Sequence, residues 1–158
     1  FGYQNVSLLG FSLGTQVTKS CLHTLSKIYY GGVTKDGRPS QAMGIPCDII
    51  HNVTLLGGAV CLSKKPEKWR FIFENLVNGR TKNVFSKGDS VLSQSNNIKV
   101  LKDPAGSSKV MIPSSVKTEV ELVENFDIST DVALTIKGKV GHMQYMEPEV
   151  LKAILEHV

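Results

Sequence analysis

Val6-Ser7-Leu8-Leu9-Gly10 is a short apolar run ending in Gly, and from Leu13 the apolar period changes from that of a strand to that of a helix. Leu13, Val17, Cys21, Leu22, Leu25, Ile28 and Tyr29 recur at helical spacing along one face, and Gly31-Gly32 stops the pattern. The same succession then repeats. Ile49 to Leu56 is a second apolar run, closed by Gly57-Gly58, and Pro66 opens a helix with Trp69, Ile72, Phe73, Leu76 and Val77 on its apolar side. Asn83-Val84-Phe85-Ser86 reads as a third strand and Asp131 to Ile136 as a fourth. A last helix starts around Glu147-Pro148-Glu149, with Pro in its first turn and acids that complement its dipole. Strands alternating with helices predict an α/β fold, a parallel sheet with flanking helices. A short apolar run such as the first is expected of a strand covered on both faces. Residues 31 to 48 read as an exposed loop, and the polar stretch at about 93–118 as an excursion out of the sheet.

Composition narrows the function classes. The 158 residues are 41% hydrophobic and 20% charged, which suits one globular core. The net charge is only +4, from scattered Lys and Arg, so nucleic acid is not an expected partner. The densest basic patch, Lys64-Lys65-Pro66-Glu67-Lys68-Trp69-Arg70, reads as a solvated helix start, with contact to an anionic membrane surface as the alternative. No stretch approaches the ~18 apolar residues of a membrane span. Cys21, Cys47 and Cys61 are far apart with no CxxC pair, which argues against disulfides or a metal site and for an intracellular, reducing compartment. No motif calls for a cofactor. The sequons at Asn5 and Asn52 fall within expected buried strands and read as chance matches. The chain opens at Phe1 directly into a strand, which reads as part of a longer polypeptide.

Gly10-Phe11-Ser12-Leu13-Gly14 is a G-x-S-x-G sequence set between the first strand and the first helix, the strand-turn-helix context of a nucleophile elbow. In so tight a turn, side chains at Gly10 and Gly14 would collide with strand and helix. Ser12 Oγ would project above the carboxyl edge of the sheet, and the Leu13 N–H at the helix start is a natural oxyanion donor. Against this stands a Ser in an ordinary strand-helix turn.

A Ser hydroxyl needs a base, and the base an orienting carboxylate. In hydrolases of this type the chain order is Ser, acid, His. Asp89 follows the third strand in a Gly-Asp turn, and His142 follows the last strand in a Gly-His loop. His23 falls in a helix, His51 among apolar strand residues, and His157 near the end of the chain; each reads as structural or exposed. Asp127 and Asp131 precede the expected last strand, and Asp131 is the reserve acid. The acid-to-base interval is long for this fold, and the polar excursion accounts for it.

These residues resemble a known family. Val6 to Gly14 resembles its elbow, and Val53-Thr54-Leu55-Leu56-Gly57-Gly58-Ala59-Val60 the strand that follows. Trp69, Val77-Asn78-Gly79-Arg80 and Ser86-Lys87-Gly88-Asp89-Ser90-Val91-Leu92 resemble its Trp, Asn-Gly-Arg and acid-bearing segments, and Gly141-His142-Met143-Gln144-Tyr145 its Gly-His-x-x-Tyr loop. The resemblance is to the α/β-hydrolase family of transmembrane and coiled-coil domain-containing protein 4. It implies a hydrolase domain in a longer protein with hydrophobic helices upstream, and Ser12, Asp89 and His142 as the triad positions. The chain departs from the pattern at Gly58, where Pro is expected, and around 93–98, where relatives are more apolar.

The expected activity is a serine hydrolase, esterase- or lipase-like, acting on an ester or lipid substrate. The alternative is a catalytically silent scaffold or structural subunit of a larger assembly. Residues 1–158 would be the C-terminal half of one hydrolase domain, lacking the N-terminal half of its sheet. The first strand would then pair with a segment of that domain upstream of Phe1, and membrane association would come through upstream helices.

Overall fold

The computed structural model describes residues 5–39, 50–97, 102–116, 120–129 and 141–157. Its frame is a four-stranded sheet in the order β1-β2-β3-β4, formed by β1 (Val6–Phe11), β2 (Ile50–Leu56), β3 (Thr81–Phe85) and β4 (Val123–Asp127). Every pairing is parallel. Helices α1 (Gly14–Tyr30), α2 (Pro66–Leu76), α3 (Ser90–Asn97) and α4 (Pro148–His157) flank it, so the α/β expectation holds.

Because side chains alternate across a strand, β2 feeds two cores. Val53 and Leu55 join Leu22 of α1 and Trp69, Ile72, Phe73 and Leu76 of α2. Leu56 turns the other way and joins Val84, Ile128, Tyr145 and the α4 residues Val150 and Ile154. Burying each such large apolar side chain stabilises by about 1.5–3 kcal/mol. α1 ends where expected. Gly31 adopts the left-handed conformation at φ 63°, and Gly32 N–H donates to the Ser26 carbonyl at 3.1 Å.

The buried face of α1 is only part of the expected apolar one: Leu22 is in the core with Leu25 and Tyr29 packed against it. Thr15, Thr18, Leu22 and Ser26 are buried, whereas Leu13, Val17 and Ile28 are 70%, 72% and 61% exposed. Small hydroxyl residues let the helix lie close on β1: a Cβ at Gly10 would stand 2.7 Å from Thr18 Oγ1 and 3.0 Å from Thr15 Cα. Among the described residues β1 is likewise not covered on both faces, since Leu9 is 51% exposed and β1 is the edge strand beside β2.

The expected fourth strand, 131–136, lies outside the described residues, and β4 is an earlier segment. Its sequence, Val-Glu-Asn-Phe-Asp, carries little apolar signal because it pairs with β3 partly through polar groups. Asn83 Nδ2 donates to Asn125 Oδ1 at 3.2 Å, and Val110 N–H donates to the same oxygen at 2.8 Å. That second bond ties the polar stretch to the sheet, of which it forms no strand among the described residues. Within the described part of 93–118, Ala105, Val110 and Ile112 are buried in the main core, and Gly106 N–H donates to the Gly58 carbonyl at 2.9 Å. A Cβ on Gly106 would fall 2.2 Å from the Gly57 carbonyl carbon, so this backbone lies directly across the end of β2.

Candidate active site

Three loops converge at the carboxyl ends of β1, β2 and β3. The first is the turn from β1 into α1. Ser12 sits there at φ 51°, a left-handed conformation that costs a non-glycine residue on the order of 1–3 kcal/mol. Four hydrogen bonds hold it in place. Its N–H donates to the Leu56 carbonyl at 3.0 Å, and its carbonyl accepts from Thr15 Oγ1 at 2.5 Å, Thr15 N–H at 3.1 Å and Ala59 N–H at 3.2 Å. The turn is thus tied to both α1 and the loop after β2. Of the two elbow glycines only Gly10 is required by space. A Cβ on Gly14 would meet nothing within 4 Å, which corrects the expectation for that position. α1 begins at Gly14, with Leu13 exposed just before it, so the Leu13 N–H stands at the helix start.

The second loop follows β3. Asp89 is fully buried, and its Oδ1 accepts the Leu92 N–H at 3.0 Å, capping α3. That bond leaves Oδ2 facing His142 Nδ1 at 2.6 Å. The third loop is a 3-10 turn, His142–Met146, in which Gly141 N–H donates to the Gln144 side chain. His142 Nε2 lies 2.6 Å from Ser12 Oγ. A carboxylate can only accept, so Nδ1 carries a proton toward Asp89 and Nε2 is left to accept from the Ser12 hydroxyl. The His142 ring is held against Phe11 (centroids 5.1 Å) and Tyr145 (6.5 Å, nearly perpendicular). Burial, with the Asp89 and Asp127 carboxylates adding to it, pushes the Tyr145 phenol far up, so its ring is a neutral wall. Gly57, at φ 50°, faces that ring, and a Cβ there would stand 3.1 Å from it.

The family described as "Protein of unknown function (DUF726)" matches over residues 1–158. The chain belongs to that family. It is also 29% identical over 158 residues to "Transmembrane and coiled-coil domain-containing protein STS1" of Oryza sativa subsp. japonica. That match covers 99% of this chain but 19% of the rice protein, so the chain spans about a fifth of that relative. No solved structure matches.

The competing residues lie elsewhere or are engaged. Asp127 is the last residue of β4. Its burial opposes the charge, but Lys87 Nζ at 2.8 Å and Ser129 outweigh that and hold the carboxyl below its ordinary range. Asp131 is outside the described residues. Of the two alternatives, structural or exposed, His51 is the exposed one, although its apolar neighbours suggested packing. His23 stands edge-on to Trp69 at 4.9 Å, on the flank of α1. Sequence reasoning did not single out Phe11, Thr15 or Leu92 as support for the three loops. An Asp directly before Ser90-Val91-Leu92 is a helix N-cap signal that would have found α3 and the Asp89 orientation together. Among the described residues no helix is long and apolar enough to cross a membrane.

Proposed function

We propose that this chain carries the catalytic centre of a serine hydrolase of the α/β-hydrolase type, cleaving an ester, with a lipid ester as the substrate class. The observation that carries the reading is the hydrogen-bonded line Ser12–His142–Asp89, 2.6 Å at each step, ending on a serine held in the left-handed region. Ser12 Oγ attacks the ester carbonyl while His142 Nε2 takes its proton. Asp89 keeps the imidazole in the required tautomer and stabilises the imidazolium that forms. The oxyanion accepts from the Leu13 N–H, where the α1 dipole favours negative charge. Collapse expels the alcohol, which takes the proton from His142. A water then attacks the acyl-serine by the same route, releasing the acid and restoring Ser12. In this reading the edge of β1 and a second oxyanion donor are completed by another part of the same hydrolase domain. Membrane association, the property named in the rice relative, belongs to regions outside these residues.

The test is labelling of the full-length polypeptide by a fluorophosphonate. Labelling at Ser12 that disappears in Ser12→Ala supports the proposal, and labelling that survives the substitution assigns the nucleophile elsewhere. A well-folded protein that is not labelled favours the silent scaffold.

A further inference from the structure

A second concave site lies along α1, on the flank away from His142. It is a cavity of about 440 Å³ between α1 and the start of α2, rimmed by Lys19, Lys64, Lys65, Lys68 and Lys102, with His23 and Trp69 in its wall. That volume falls within the ~300–1,000 Å³ of ordinary ligand sites. Among the described residues none of these five lysines is in an ion pair. The acid nearest in sequence to the helix start, Glu67, is engaged by Arg70 at 2.6 Å.

Burial and then like charge act on members of the cluster. Burial and the Lys65, Lys27 and Lys19 charges hold the Lys68 ammonium below its ordinary range. Burial, then Lys68, Lys19, Lys27 and Lys65, push the His23 imidazole down to about 4. A solvated charge run spreads its like charges over a convex face. Here five converge on a hollow with no ion-pair partner among the described residues, an arrangement that costs free energy unless an anion fills it. The first turn of α2 adds its positive dipole end and carries no side-chain cap.

We propose that this cavity binds a ligand bearing two or more phosphate groups, seated between Lys19 of α1 and Lys64, Lys65 and Lys68 at the start of α2. Five lysines exceed what one phosphate can use, and Trp69 in the wall offers an apolar surface for the carbon frame that links the phosphates. The same chemistry is offered by a free polyphosphorylated sugar and by a polyphosphorylated lipid headgroup. The inference does not depend on Ser12 and stands if the hydrolase reading fails.

The experiment uses the full-length polypeptide at physiological salt. Inositol trisphosphate is titrated calorimetrically, and co-sedimentation is measured with phosphatidylcholine vesicles with and without phosphatidylinositol bisphosphate. Binding of the trisphosphate that weakens by about tenfold or more in Lys64→Gln/Lys68→Gln is expected, since tenfold corresponds to losing a single good ionic contact. Lys109→Gln/Lys152→Gln, with the same change in net charge at exposed positions, should alter it less than about twofold. The His23 imidazole resonances should report the ligand directly, their titration moving upward from about 4 as the phosphates offset the lysines. Recruitment to the bisphosphate vesicles as well identifies the headgroup as the source, and trisphosphate binding without recruitment identifies a free ligand. No trisphosphate binding, equal losses in the two double variants, or a bound state that leaves His23 unmoved would each overturn the site.

Discussion

Asp89 divides its carboxylate between Leu92 and His142: one oxygen accepts the Leu92 N–H at 3.0 Å and the other faces Nδ1 of the histidine at 2.6 Å. The cap of α3 therefore fixes the rotamer that the histidine needs. An Asn at this position keeps the capping oxygen but turns an amide toward Nδ1, which favours the opposite tautomer. Asp89→Asn is expected to fold within about 1 kcal/mol of the parent while ester turnover falls by ~10³–10⁴. Asp89→Ala is expected to lose both the cap and the turnover. Thermal unfolding beside a turnover assay separates the two, and an Asn variant that retains full activity removes Asp89 from the proposed triad.

The two elbow glycines are predicted to behave differently. Gly10→Ala forces the α1 backbone away from β1, because the nearest obstacles include Thr15 Cα at 3.0 Å. Overpacking of this kind costs about 1–3 kcal/mol, and fluorophosphonate labelling of Ser12 should slow with it. Gly14→Ala enters open space at the first helical residue and should leave stability unchanged or raise it by up to ~1 kcal/mol. Equal destabilisation by both substitutions would contradict this account of the turn.

His23 predicts a pH dependence. Its folded pKa, about 4, lies below the ordinary 6.5, so between those values the unfolded chain binds more protons than the folded one. Stability should then rise with pH across that window, and fall progressively on acidification from 6.5 toward 4. His23→Gln removes the titrating group and should flatten that part of the curve. Urea midpoints measured across the window, without added phosphate ligands, provide the check. A slope unchanged in the variant would mean that other groups produce it.

The alternation of strand and helix was legible because β2, α2 and the elbow carry strong periodic signals; Ser12 and Asp89 lie in turns that follow the ends of β1 and β3, while the strand expected before His142 lies outside the described residues. The polar look of β4 and of the chain beside it has one physical cause. β4 pairs through Asn83 and Asn125, and the chain around Val110 is tied on by the same Asn125 amide, so both look polar in sequence while lying in or against the sheet. Hydrophobic period reports burial by apolar side chains and is silent where amides and backbone groups make the contact. The face of α1 failed for the converse reason. Close approach to β1 selects Thr15 and Thr18 for the interface and leaves Leu13, Val17 and Ile28 outside.

Those outward residues lead to the last prediction. Leu9, Leu13 and Val17 are 51%, 70% and 72% exposed, and Leu8, Leu9, Val17 and Cys21 line an open groove of about 490 Å³ beside β1. Among the described residues the outer edge of β1 has no partner strand, so its backbone groups are open to pairing. An unprotected strand edge beside an apolar groove is a template for association. The segment 1–158 expressed by itself is therefore expected to self-associate, with sedimentation showing species larger than a monomer. Leu9→Lys together with Val17→Glu should shift it toward monomer, because a charge on the edge and another in the groove both oppose burial. In the full-length polypeptide the same pair should instead lower stability, by about 2 kcal/mol or more, if the proposed remainder of the domain covers that edge. A monomeric segment with a sharp, cooperative unfolding transition would show that β1 needs no neighbour on that side.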